Sequence, residues 1–146
     1  MDIFEQRIYE LALGFRTALE TCPRTLLPTT FAEFPRGSCG DTSLLLGTFL
    51  KDNDCGYFMY VSAVRGAHKD NSWETHGWLV QGDLVVDITA DQFCEVRDSV
   101  IVTRDSEWHR QFFIDHCSPG DFRSYDQSTY TMLASVYDMI VDRARK

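Results

Sequence analysis

The sequence holds no long apolar run, no basic excess and no paired-cysteine motif, and each absence removes a class of protein. Without about 20 consecutive apolar residues, no segment reads as a membrane-spanning helix. The amino end carries acids where a secretory leader needs Lys or Arg. A cytoplasmic location is therefore expected, with export as an effector without an ordinary leader as the alternative. Acids outnumber bases, 22 Asp and Glu against 14 Lys and Arg for a net charge of -8, which argues against binding nucleic acid or an anionic membrane. The five cysteines, Cys22, Cys39, Cys55, Cys94 and Cys117, form no Cys-x-x-Cys pair and no zinc-ribbon spacing. A reducing compartment is expected, and no metal or other cofactor is. No internal repeat, low-complexity tract or linker interrupts the chain. What remains, 146 residues of which 44% are hydrophobic, is one globular domain long enough to bury a single core.

The chain is organised around Arg36-Gly37-Ser38-Cys39-Gly40-Asp41-Thr42-Ser43, followed by Leu44-Leu45-Leu46. This reads as a loop entering a buried helix, with Ser38 as N-cap and Asp41 completing a capping box. Cys39 then falls in the first turn, where unpaired N–H groups and the positive end of the helix dipole favour a thiolate. A lone cysteine at a helix start is more often a small inert core residue. A second stretch changes that balance. Thr75 to Val80 and Asp83 to Ile88 are strand-like runs, and with Gln81-Gly82 as the turn, His76 faces Asp87, Trp78 faces Val85 and Val80 faces Asp83. Opposed residues share a sheet face at a separation that lets a carboxylate hold an imidazole. Leu79, Leu84 and Val86 take the other face, the alternation of a half-buried hairpin.

Elsewhere, Asp2 to Glu20 reads as an amphipathic helix with Phe4, Ile8, Leu11, Phe15 and Leu19 on its apolar stripe and Arg16 off it. Residues 24–37 form a proline-bearing loop whose Phe34 is a possible cleft wall, as is Trp78. The Cys39 helix runs to about Lys51. A strand follows over Tyr57 to Val64, then the hairpin, a turn at Ala90 to Phe93 and a strand over Val100 to Thr103. A helix is expected through Trp108, Phe112 and Phe113, and a last amphipathic one on Met132, Val136 and Ile140. His109, His116 and Cys117 make a weak candidate metal cluster without a second half. The order of elements predicts an α+β fold, a central buried helix packed on an antiparallel sheet with flanking helices.

Cysteine at a helix start, histidine at a strand start and aspartate one strand later resembles the papain-like superfamily, within it the transglutaminase-like branch. The matching residues are Gly37-Ser38-Cys39-Gly40, His76-Gly77-Trp78-Leu79 and Val86-Asp87-Ile88-Thr89, and the resemblance covers roughly residues 34–93. It implies Cys39 as nucleophile, His76 as general base and acid, and Asp87 as the group that orients the imidazole. Three departures stand out: Gly77 replaces the usual Ala, Gly40 replaces the aromatic residue of papain-type proteases, and the chain is too short for two papain lobes.

A site of this kind transfers acyl groups through a thioester. The oxyanion needs two donors: the Cys39 N–H is one candidate, and Ser38, Arg36 and Gln92 compete for the other. The expected function is a cysteine protease or deamidase acting on an amide of a peptide or protein. The alternatives are a non-catalytic binding, adaptor or inhibitor module that keeps the fold, and an amine-accepting transglutaminase.

Overall fold

A computed structural model of the chain describes residues 1–145. The fold is α+β: three α-helices and a five-stranded antiparallel sheet among the described residues. Helix α1 spans Ile3–Thr21, α2 Cys39–Asp52 and α3 Gln127–Ala144. The strands are β1 (Met59–Arg65), β2 (Glu74–Gln81), β3 (Leu84–Asp87), β4 (Ile101–Thr103) and β5 (Phe113–Pro119), ordered β4-β3-β2-β1-β5. None of the described helices is long and apolar enough to cross a membrane.

Local chemistry sets the helix ends. Asp2 and Glu5 form a reciprocal capping box: Asp2 Oδ1 accepts the Glu5 N–H at 2.8 Å, and Glu5 Oε2 accepts the Asp2 N–H at 3.2 Å. Asp126 caps α3 through the Thr129 N–H. Helix α2 begins differently from expectation. Ser38 occupies the N-cap position, but its side chain caps nothing; its Oγ accepts from Thr42 Oγ1 at 3.2 Å. Asp41 turns outward and accepts from Thr30 Oγ1 at 3.1 Å, so no capping box forms. The loop from 24 to 37 takes over the work of fixing the helix entry.

Two cores lie on opposite faces of the sheet. The large one joins α1, α2 and α3 to Leu79, Leu84 and Val86. The small one collects Val61, Ala63, Trp78 and Phe112, with Val80, Val85, Phe93 and Trp108 packed around them. The alternation predicted for the hairpin therefore holds, while its register is two residues from the expected one. Gln81 pairs with Leu84, Val80 with Val85 and Leu79 with Val86, so the turn is Gly82-Asp83 and not Gln81-Gly82. Gly82 supplies the positive φ of 59° that the first turn position requires. A shift of two leaves every side chain on its predicted face; a shift of one would have inverted them.

Three other expectations are corrected. Phe34 is buried in the large core beneath the guanidinium of Arg16, 4.8 Å from its ring centre, and walls no cleft. Arg16 is itself buried. It binds both carboxylate oxygens of Asp91 at 2.7 and 2.8 Å and the Ile88 carbonyl at 2.6 Å, tethering α1 to the 88–92 turn. The helix expected through Phe112 and Phe113 is a single 3-10 turn, His109–Gln111, followed by the edge strand β5. Aromatic spacing suggested helix because Trp108 and Phe112 share a side; both instead pack on the second face of the sheet.

Helix α2 lies against β1 and β2, and its Gly47 meets the backbone of Gly120, just past the end of β5. A Cβ on Gly47 would collide with the Gly120 carbonyl and stand 2.9 Å from its carbon. Alanine usually stabilises a helix interior over glycine by about 1 kcal/mol. Here Gly47→Ala should do the reverse, lowering stability by roughly 1–3 kcal/mol because the obstacle is backbone. Urea unfolding measures this, and a gain in stability would contradict the packing described.

Candidate active site

Beyond Leu79 and Val86 the central strands part. Residues 74–78 of β2 continue their pairing with β1, while Asp87 pairs with Ile101 of β4. His76 and Asp87 stand on either side of that opening, on the same face, and their side chains close it. His76 Nε2 lies 2.7 Å from Asp87 Oδ2. The two residues are 2% and 3% exposed, so this is a charge pair in a nearly water-free setting.

A buried carboxylate is costly unless its lone pairs are filled. Asp87 fills them. The Thr89 N–H donates to Oδ1 at 2.9 Å and the Thr89 hydroxyl reaches the same atom at 3.4 Å. A second imidazole, that of His109, brings Nε2 to 2.7 Å from Oδ2. Ser106 Oγ accepts the His109 backbone N–H at 3.2 Å and is also bonded to His109 Nδ1. Because a carboxylate only accepts, the His109 Nε2–H donates to Asp87.

Electrostatics follow from this wiring. Burial pushes the Asp87 carboxyl up, but the His76 charge and the hydrogen bonds from both imidazoles hold it well below the usual carboxylate range. Burial also disfavours a charged His76. The Asp87 charge and hydrogen bond outweigh it, the Cys39 side chain adds to them, and His76 is raised to about 9. Aromatic rings keep water out: Phe93 lies 5.2 Å from the His76 ring, Trp78 and Trp108 each 5.6 Å. Trp78, expected as a possible cleft wall, is itself 2% exposed and borders a pocket on the second face of the sheet with Val80, Val85, His109 and Phe112.

Cys39 is the first residue of α2 and is half-buried. Its side chain influences two groups electrostatically, the His76 imidazole and the Tyr60 phenol, raising both. Asp87 occupies Nε2 of His76, which leaves Nδ1 as the ring's other polar atom. Gln92 addresses that nitrogen, its Nε2 standing 3.3 Å away while donating to the Thr89 carbonyl at 3.0 Å. Of the other oxyanion candidates, Ser38 is buried behind the helix start with its Oγ bonded to Thr42, and Arg36 is exposed on the loop. The imagined His109, His116 and Cys117 cluster does not exist: His116 and Cys117 are exposed on β5, whereas His109 is inside.

No protein-family model matches the chain, and neither does any curated protein or solved structure. The site is therefore read from its own geometry. His76, Asp87 and His109 bring one ligating atom each within 4.8 Å of the others, which raises the question of a metal. Two ligands at 2.0–2.1 Å on one tetrahedral zinc stand about 3.3 Å apart. The 2.7 Å separations here are those of charge-assisted hydrogen bonds. The trio is a proton-bonded chain centred on a carboxylate.

His109, Ser106 and Tyr60 went unrecognised in the sequence as parts of this site. His109 had one available signal, the run Ser106-x-x-His109, in which a hydroxyl three residues ahead both accepts the backbone N–H and bonds the imidazole.

The buried pair predicts a pH dependence. A histidine raised from 6.5 to about 9 contributes stability that is complete below pH 6.5 and disappears as pH climbs through 9. In a Cys39→Ser background, which removes the thiol's own titration, thermal stability should fall between those values. Adding Asp87→Asn should flatten the decline. Parallel melting curves for the two proteins from about pH 6 to about pH 10 would show that His76 is not charged against Asp87.

Proposed function

We propose that the protein is a thiol-dependent acyl-transfer enzyme of papain-like architecture, using Cys39, His76 and Asp87 on an amide of a peptide or protein. The observation that carries this reading is the placement of His76. One ring nitrogen is bonded to a buried carboxylate, and the ring interacts electrostatically with the thiol at the start of α2. With His76 raised to about 9, the imidazole is charged at neutral pH and can serve as the acid beside the thiol.

The thiolate attacks the amide carbon, and its carbonyl π electrons move to oxygen. Collapse of that intermediate breaks the C–N bond, and His76 gives its Nδ1 proton to the leaving nitrogen. The neutral imidazole, still held by Asp87, then takes a proton from water as the water oxygen attacks the thioester. The thiolate leaves, and His76 is charged again. His109 and Thr89 hold the carboxylate while its partner gains and loses charge. Hydrolysis, as protease or deamidase, is favoured over amine transfer because water needs no acceptor site.

The non-catalytic binding module keeps one observation in its favour, the near-complete burial of His76 with a half-buried Cys39. The two readings separate on thiol reactivity. Cys94 and Cys117 are exposed and free, so they set the rate of ordinary surface thiols on the same molecule. Near pH 6, where a thiol of pKa about 8.5 is almost wholly protonated, iodoacetamide should modify Cys39 well before either. Asp87→Asn should slow that reaction and cut amide turnover by roughly two to four orders of magnitude. Peptide mapping that finds Cys39 labelled last would support the binding module.

A further inference from the structure

The reading above leaves the second oxyanion donor unassigned, and the residue best placed for it sits on β1. Tyr60 pairs with Leu79 across β1 and β2, so its ring lies on the α2 side of the sheet and points at the start of that helix. Two glycines make room for its hydroxyl. A Cβ on Gly40, the neighbour of Cys39, would touch Tyr60 Oη at 3.4 Å. A Cβ on Gly77, the neighbour of His76, would press within 2.6 Å of both Cε1 and Cζ and closer still to Oη. The phenol is thus wedged between the residue after the nucleophile and the residue after the base, in interaction with the Cys39 side chain. This accounts for Gly77, where the resembling proteins usually carry alanine: any side chain there evicts the hydroxyl.

Resting on the acyl-transfer reading, we propose that the Tyr60 hydroxyl is a catalytic residue, the second donor to the oxyanion beside the Cys39 backbone N–H. Cys39 opens α2, so its N–H has no partner within the helix and faces the dipole's positive end. When the substrate carbon bonds to Sγ, its oxygen must lie beside the sulfur, on the side where the hydroxyl is lodged against Gly40. As the S–C bond forms, the carbonyl π pair moves onto that oxygen, where the N–H and the O–H stabilise it. The pair returns as the C–N bond breaks, and the leaving nitrogen takes its proton from His76. Tyr60 keeps its own proton throughout. Burial, then the neighbouring Cys39, push the phenol well above its ordinary range, so it stays a donor at any pH where the enzyme works.

Such a donor strengthens only a step that creates an oxyanion. Alkylation by iodoacetamide is displacement at a saturated carbon and creates none, whereas acylation by p-nitrophenyl acetate does. Tyr60→Phe keeps the ring and its packing and removes the hydroxyl. Acetylation of Cys39, followed as the p-nitrophenolate burst and corrected with Cys39→Ala, should slow about 10²–10³-fold while alkylation of Cys39 changes less than about threefold. Gly77→Ala, which keeps the hydroxyl but displaces it, should give the same split between the two reactions.

Equal loss in both reactions would overturn the proposal and make Tyr60 a residue that stabilises the thiolate. Faster alkylation in Tyr60→Phe would make it a cap over the thiol, and unchanged acetylation would remove it from the chemistry. A wild-type Cys39 inert to both reagents would instead remove the acyl-transfer reading, and this proposal with it.

Discussion

Everything near the site answers to one requirement, that a carboxylate taken out of water be fully bonded. Asp87 sits at the end of β3, where the strand can turn at once and bring Thr89 back onto Oδ1. The other oxygen is shared by two imidazoles from distant parts of the chain. An uncompensated buried charge costs several kcal/mol, so His76, His109 and Thr89 are held by the carboxylate as much as they hold it. The aromatic cluster of Trp78, Phe93, Trp108 and Phe112 then completes the arrangement by keeping water from competing for the same atoms.

The sheet cooperates by being incomplete. A continuous ladder between β2 and β3 would leave no space between their backbones at His76. Because β2 stays with β1 while Asp87 goes with β4, the strands diverge at the pair, and the gap is spanned by side chains in place of backbone hydrogen bonds. The same divergence turns the His76 ring toward the gap, while α2 packs on the opposite face. Two separate cores, one large and one small, cover the two faces of the sheet.

Much of this was legible in the chain. Period-two alternation placed His76, Trp78, Val85 and Asp87 on one face and Leu79, Leu84 and Val86 on the other, and the all-round apolar character of residues 44–50 marked α2 as central. The register was not legible, because Gln81-Gly82 and Gly82-Asp83 both place a glycine inside a two-residue turn, and a shift by two preserves every face. Local capping rules failed at Ser38, where a side-chain bond to Thr42 competes with the backbone. Arg16 was misjudged for a different reason. Helical periodicity cannot foresee that a charged side chain will be buried against a carboxylate 75 residues later in the chain. Tyr60 and His109 belong to that class too: their meaning depends on contacts no spacing announces.

That long-range tether has a consequence for what counts as the smallest working unit. The turn carrying Thr89 and Gln92 is pinned from outside by Arg16, whose guanidinium grips Asp91 and the Ile88 carbonyl. The first helix touches none of the reacting atoms, yet it fixes the segment from which the carboxylate is oriented. At the other extreme, His109 comes after four of the five strands have been laid down in chain order. Site and domain are therefore coextensive. Stretches as far apart as the first helix and the turn at His109 help to hold the one carboxylate in place.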